Sequence, residues 1–149
     1  MAGLEFILRQ GEIALVAATA KTVLQAVAPA NHRVKIKEWG VFFDGTSVTG
    51  EPVVVQIIKQ TTAGTMSALT PTKRDSSLPE TVLSTAQHTA TVEPTTTDII
   101  DEIEVHPQAG YEKIFPLGSE LWIPGGERRA IRCTAPANVN VNAKMVCEE

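Results

Sequence analysis

The sequence predicts an all-β domain, and three observations carry the prediction. Near the carboxyl end Val139, Val141, Ala143, Met145 and Cys147 alternate with Asn138, Asn140, Asn142 and Lys144. That period of two belongs to a strand with one dry and one wet face. Thr and Val are abundant and Leu is scarce, a balance that suits the pleated, half-buried surface of strands. Nine Pro and ten Gly are spread along the chain and punctuate it into short elements. With 149 residues, the chain is one domain's worth of sequence and buries roughly 68–70% of its unfolded surface.

The elements follow in order. Residues 12–21 are Ala-rich and have helical propensity, but the Thr and Val content and the break at Pro29 favour two strands, 13–17 and 22–27. Residues 33–37 alternate cleanly and 39–43 continue out of phase, so a bulge or bend is expected at Gly40. Asp44-Gly45 reads as a tight hairpin turn. Residues 52–58 form a short continuous apolar run, the pattern of a strand buried on both faces. Residues 61–98, rich in Thr and Ser with Pro71, Pro79 and Pro94, read as a long exposed excursion with one strand around 82–91. An irregular run of that length is often functional. Strands follow at 102–105, ended by His106-Pro107, then at 111–115, 120–123 and 128–134, and the last from 138. Roughly eight strands at this turn spacing predict an antiparallel β-sandwich of the jelly-roll type, spanning residues 12–149 and preceded by an amino-terminal arm, residues 1–11.

Charge and composition exclude several classes. Seventeen acids against thirteen bases leave a formal net charge of −4, without the basic stripe of a nucleic-acid binder. The longest mostly apolar stretch, residues 13–20, falls far short of the ~20 residues of a membrane span. The first six residues lack the basic start and apolar run of a secretory signal, so none is expected. Two cysteines, Cys133 and Cys147, are too few for a disulfide framework and lack metal spacing. They read as reduced, buried thiols of a protein made in a cytoplasm. A bond between them requires their strands to be neighbours.

The chemistry-bearing residues form no catalytic constellation. His32, His88 and His106 each stand alone, without another ligand at metal spacing. Gly110, Pro116 and Gly118 have the spacing of the second cupin motif, but Leu121 stands where metal-binding cupins carry a His, and the first cupin motif is absent. The likeness implies a jelly-roll turn without that metal chemistry. Glu102 and Glu104 share one strand face, about 7 Å apart. Such pairs can hydrolyse glycosides or help hold calcium, but a solvated outer face, with Ile103 and Val105 inward, is the expectation. There is no Gly-x-Ser-x-Gly elbow, and Gly125-Gly126 lacks the Lys-Ser or Lys-Thr of a phosphate loop. No catalytic residue, cofactor or metal is assigned, and the chain is not expected to be an enzyme. The amino end instead carries Leu4, Phe6, Ile7 and Leu8, each worth ~1.5–3 kcal/mol if buried. They could add an edge strand to their own sheet or dock on a neighbour by strand addition. Lys73 and Arg74, in the only charged knot of the excursion, join them as candidate partner-binding residues.

Several stretches, read as a set, resemble small structural proteins of tailed bacteriophages. They are Ala28 to Gly40, Phe43 to Ser47, Glu51 to Val55, Gln60 to Thr65 and Arg132 to Ala137. The overall plan resembles the jelly-roll decoration, or cement, proteins on the outside of phage heads. The resemblance implies a virion protein on the capsid surface, made in the host bacterial cytoplasm. It implies a homo-oligomer, dimer or trimer, that bridges neighbouring major capsid proteins. A carbohydrate-binding or receptor-binding module of a phage fibre or tail is the alternative on the same fold.

Overall fold

Alternating, β-branched segments become twelve strands in a computed structural model that describes residues 3–45 and 51–149. They are β1 (Glu5–Leu15), β2 (Ala20–Val27), β3 (Val34–Phe43), β4 (Val53–Gln60), β5 (Thr65–Leu69) and β6 (Thr72–Lys73), then β7 (Thr85–Val92), β8 (Thr96–Val105), β9 (Gly110–Ile114), β10 (Leu121–Ile123), β11 (Arg128–Thr134) and β12 (Val139–Glu148). One sheet runs β10-β3-β12-β1-β6, with β9 also paired to β3; the other runs β5-β7-β2-β11-β4-β8. No helix occurs among the described residues, so none is long and apolar enough to cross a membrane.

The topology is a jelly roll. The strands that follow its path are β1, β2, β3, β4, β8, β9, β11 and β12. In the first sheet they lie in the order first, eighth, third, sixth; in the second, second, seventh, fourth, fifth. This is the interleaving of two Greek keys. The remaining four strands extend the edges, which takes the count from about eight to twelve. The core lies between the sheets. Val34, Ile36, Trp39, Val41, Ile13, Leu15, Val141 and Met145 from one side meet Val23, Leu24, Val53, Val55, Ile57 and Ile131 from the other.

The amino-terminal arm expected over residues 1–11 is, from Glu5 onward, the first half of β1. Phe6 and Leu8 are fully buried, and residues 5–10 pair in register with 148–143 of β12. β1 lies between β12 and β6. Phe6 and Leu8 therefore belong to the core and are unavailable to a partner. A bulge masks the continuity of this strand. Gly11 and Glu12 together oppose Asn142, Glu12 adopts a φ of 51°, and its N–H donates to Asn142 Oδ1 at 3.1 Å. The extra residue shifts the alternation between Leu8 and Ile13.

Three further expectations change. Residues 61–98 contain β5, β6, β7 and the start of β8 where one strand was expected; that strand, around 82–91, is β7, and residues 74–84 are irregular. The bulge in β3 falls at Lys37, since Ile36 and Glu38 pair with consecutive residues of β12, rather than at Gly40. Asp44-Gly45 makes no hairpin turn, because β3 and β4 belong to different sheets. Asp44 N and Gly45 N donate to the carbonyls of Asn140 and Pro107. The apolar run of β4 is covered on both faces at Ile57 and Ile58. Cys133 and Cys147 are free, buried thiols, and burial pushes both well above the usual thiol range.

The polar row of β12 has a structural task. Asn138 accepts from Ala17 N at 2.9 Å, Asn142 holds the β1 bulge, and Asn140 is tied to Asp44 through both its backbone N–H and its amide. Each asparagine clasps a different neighbouring turn or bulge, so the register of β12 is set from both faces.

Candidate interaction surface

The outer face of the first sheet is a set of cross-strand rows. Glu5, Glu148, Lys35 and Trp122 form one, read across β1, β12, β3 and β10. Ile7, Val146, Glu38 and Ile114 form the next, and Arg9, Lys144, Gly40 and Glu112 the third. Ion pairs knit them together. Lys37 bridges Glu5 and Glu148, Arg74 joins Glu5 at 3.1 Å, and Lys144 pairs with Glu112 and, at 3.8 Å, with Glu38. Single exposed pairs contribute little, roughly 0–1 kcal/mol, but shared partners reduce the ordering cost. Trp122 lies 40% exposed at the end of the first row, with Arg33 and Lys35 over its ring at 4.7 and 5.0 Å.

The Lys37 hydrogen bond and charge hold the Glu5 carboxyl below its ordinary value, and Glu5 in turn raises Lys37. A lowered carboxyl stabilises the fold above its unfolded value and loses that contribution as pH falls through the folded one; a raised amine is fully effective below its unfolded value and loses its contribution as pH rises through the folded one. The pair is therefore fully effective at neutral pH and fails at both extremes. In urea titrations, Glu5→Gln should lower stability at pH 7 and reduce the further loss seen below about pH 4.5. An unchanged acid limb in the variant would mean that Glu5 contributes nothing to it.

Of the partner-binding candidates, Ile7 stands on the outer face as a half-buried side chain, and Leu4 joins Gly3, His32, Leu78, Leu83 and Glu149 around a shallow groove. Lys73 pairs with Phe6 and donates to the carbonyls of Leu78 and Glu80, so it clamps its own loop. Arg74 is bound to Glu5. The structure thus brings the arm and the charged knot together, but as a fastening of β6 to β1.

Part of the outer face of the second sheet, around Thr22, Gln25, Ile58 and Gln60, is covered by the chain itself. The connections from β4 to β5 and from β7 to β8 each pass three intervening strands. They lie side by side, with Thr61 N donating to Thr95 O at 2.9 Å and Thr95 N to Thr62 Oγ1 at 2.8 Å. Beneath them Gln25 Nε2 donates to Gln60 Oε1 at 2.7 Å, Gln60 Nε2 to Thr22 Oγ1 at 2.8 Å, and Thr22 Oγ1 to Glu93 Oε2 at 2.7 Å. Gly64 makes the crossing possible. Its φ is +62°, and a Cβ there would lie 2.4 Å from the Val92 carbonyl oxygen. Gly64→Ala should cost about 1–3 kcal/mol in denaturant unfolding and open this strap to proteolysis; wild-type stability would show that the crossing tolerates a side chain.

One edge remains uncovered. On the far side β5 has five residues and β6 two, whereas β8 has ten and borders the second sheet, with no strand beyond it among the described residues. Opposite it the first sheet ends in β9 and β10. Between them opens a cleft lined by Ile57, Ile100, Asp101, Lys113, Phe115 and Leu121, bridged by Lys113 Nζ to Asp101 Oδ2 at 2.7 Å. On the elements that flank it, Ile99 and Ile100 of β8 are 53% and 41% exposed, Ile114 of β9 is 69% exposed and Leu117, in the turn that follows, 95%. Of these exposed apolar side chains, all missed by sequence reasoning, only Ile100 lines the cleft. The only local signal was the adjacent pair Ile99-Ile100, which breaks alternation because Ile100 is a bulged residue between the pairings of Ile99 and Asp101.

The remaining chemistry-bearing residues lie apart. Glu102 and Glu104 are exposed, with Ile103 against the core and Val105 buried, and Glu102 accepts from Gln56. His88 is bonded to Thr89, and His106 accepts from Gln108 N. Among the described residues no three His, Cys, Asp or Glu side chains gather as they would around a metal ion. Pro116 to Ser119 form a turn closed by Ser119 N to Pro116 O at 2.9 Å, with Gly118 at φ +87°, the left-handed value a type II turn requires at its third position. Leu121 packs against the core. No protein-family model and no curated protein matches the chain.

Proposed function

We propose that this protein is a capsid decoration, or cement, protein of a tailed bacteriophage that binds the outside of the head and bridges neighbouring major capsid proteins as a homo-oligomer. The observation that carries this reading is an adhesive edge on a stiff body. Ile100 lines the cleft at the open β8–β9 edge and Ile99 is exposed beside it on β8, while the rest of the two-sheet frame is tied by cross-strand ion pairs and by the strap. The phage-protein resemblance of residues 28–40, 43–47, 51–55, 60–65 and 132–137 supports it. A small rigid unit of this kind gains strength through repetition, because many weak contacts on one lattice add through effective concentration.

Purified protein added to bare, expanded phage shells should co-sediment with them and raise the temperature at which they come apart. No binding at any concentration reached would overturn the proposal. A sugar-binding module is less well supported. Of the exposed aromatics Phe42, Tyr111 and Trp122, Trp122 has its ring engaged by Arg33 and Lys35 and Tyr111 lies against Trp39. Strong hits on a glycan array, combined with no shell binding, would reverse the order of the two readings.

A further inference from the structure

We propose that the free edge of β8 is a strand-acceptor site, and that its occupant is an extended segment of another protein in which basic and apolar side chains alternate. The inference rests on the reading of this edge as the adhesive one and names the chemistry of what it takes. An unpaired edge strand offers a row of backbone N–H and C=O groups to an incoming strand, and proteins commonly recognise extended segments in this way. The other edges of this molecule offer little. β5 and β6 are short, and β9 and β10 are separated by the Pro116–Gly118 turn.

The side chains of β8 select the partner. Pairing with β4 aligns Ile99 with Ile58, Glu102 with Gln56 and Glu104 with Val54, so Ile99, Glu102 and Glu104 stand on the outer face. On the inner side lie Ile103, against the core, and the mouth of the cleft with Ile100 and Phe115. A strand laid along β8 therefore meets Ile103 and the cleft on its inner face, and two carboxylates followed by Ile99 on its outer one, with Asp98 exposed nearby. Among the described residues Asp98, Glu102 and Glu104 have no salt-bridge partner; Asp101 is paired with Lys113.

The same pattern argues against a second copy of β8. Antiparallel self-pairing would set the carboxylates of both strands in one ladder, and like charges directly opposite are destabilising. The chain does contain a segment of the required pattern, Arg33-Val34-Lys35-Ile36-Lys37. It is the start of β3, already held between β10 and β12, so the segment must come from elsewhere.

The test uses the full chain and a capped peptide, Lys-Val-Lys-Val-Lys-Val-Lys. At millimolar concentration it should slow amide exchange along β8 by about tenfold or more, and added salt should weaken the effect. A Glu-for-Lys peptide, and one with Pro at its centre, should give no protection. Ile99→Lys combined with Glu104→Lys, both at exposed positions, should preserve the melting temperature and abolish protection by the Lys peptide. No protection of β8, equal protection by the acidic peptide, or β8 amides protected without peptide at high protein concentration (a second copy on the edge) would each overturn the proposal. Shell binding separates it from the functional reading. Shells bound equally well by the double variant would sink the edge site alone. β8 protected by the peptide, with no shell binding by the wild type, would sink the capsid reading alone.

Discussion

Val141→Asp should leave the chain without a cooperative unfolding transition. Val141 is fully buried and lies in the middle of the first sheet, paired with Ile13 on one side and Phe43 on the other. Its side chain belongs to the apolar core between the sheets. An unpaired carboxylate there has no partner and no water, so the group must either be protonated or expel its surroundings. The expected cost exceeds about 4–5 kcal/mol, a large part of the ~5–15 kcal/mol that holds a domain together. Circular dichroism melting and denaturant titration read the effect. Asn142→Asp, one residue along, provides the control. It keeps an acceptor for Glu12 N on the exposed face and should change stability by roughly 0.5 kcal/mol or less. If Val141→Asp melts like the wild type, the inward face of β12 has been misassigned.

Deleting residues 2–10 should be as severe. The cut removes Phe6 and Leu8 from the core and six paired positions from the ladder with β12. It also removes the strand that holds β6, and with it the Glu5 carboxylate shared by Lys37 and Arg74. Phe6→Ala alone should cost about 3–5 kcal/mol, measured in urea. The truncated chain should be recovered unfolded or aggregated, because the lost half of β1 exposes the flank of β12. Cooperative melting of the truncated chain near the wild-type temperature would restore the picture of a separable arm.

Both expectations concern strands of the same sheet, yet only one was legible in the sequence. In β12 Val139, Val141, Ala143 and Met145 alternate with polar residues, and only the outward Val146 departs from the pattern before Cys147, so its inward face could be named directly. β1 has the same period on either side of its bulge, with Phe6 and Leu8 inward and then Ile13 and Leu15. The Gly11–Glu12 insertion shifts the phase between them, and the outward Ile7 blurs the contrast further. A local period cannot survive an extra residue whose partner, Asn142, lies more than a hundred positions away. The excursion was obscured for a different reason. β5 and β6 are edge strands, β7 lies next to one, and all three have few inward side chains, so their Thr, Ser and Gln content resembles that of a loop. Gln25 and Gln60 carry no sequence sign of burial, because what buries them is the strap.

The candidate site was legible only in part. Of Leu4, Phe6, Ile7 and Leu8, read as residues that need cover because apolar area left in water is costly, Phe6 and Leu8 find it in the core, while Leu4 and Ile7 stay half-buried. That the cover is β12 and the opposite sheet follows from pairing at long range. The exposure of Ile99, Ile100, Ile114 and Leu117 was invisible beforehand, because each residue is unremarkable alone and its exposure follows from where β8 and β9 end their sheets.

The sequence by itself determined that this chain is built of antiparallel strands and which residues of β12 face inward, because alternation along a strand is a property of neighbours three to seven ångströms apart. Only the tertiary structure decided that the first strand belongs to the body, that the chain straps over its own second sheet, and that β8 is left with one side unpaired. Strand order is set by contacts between segments distant along the chain, and no local pattern records which of them will lack a neighbour.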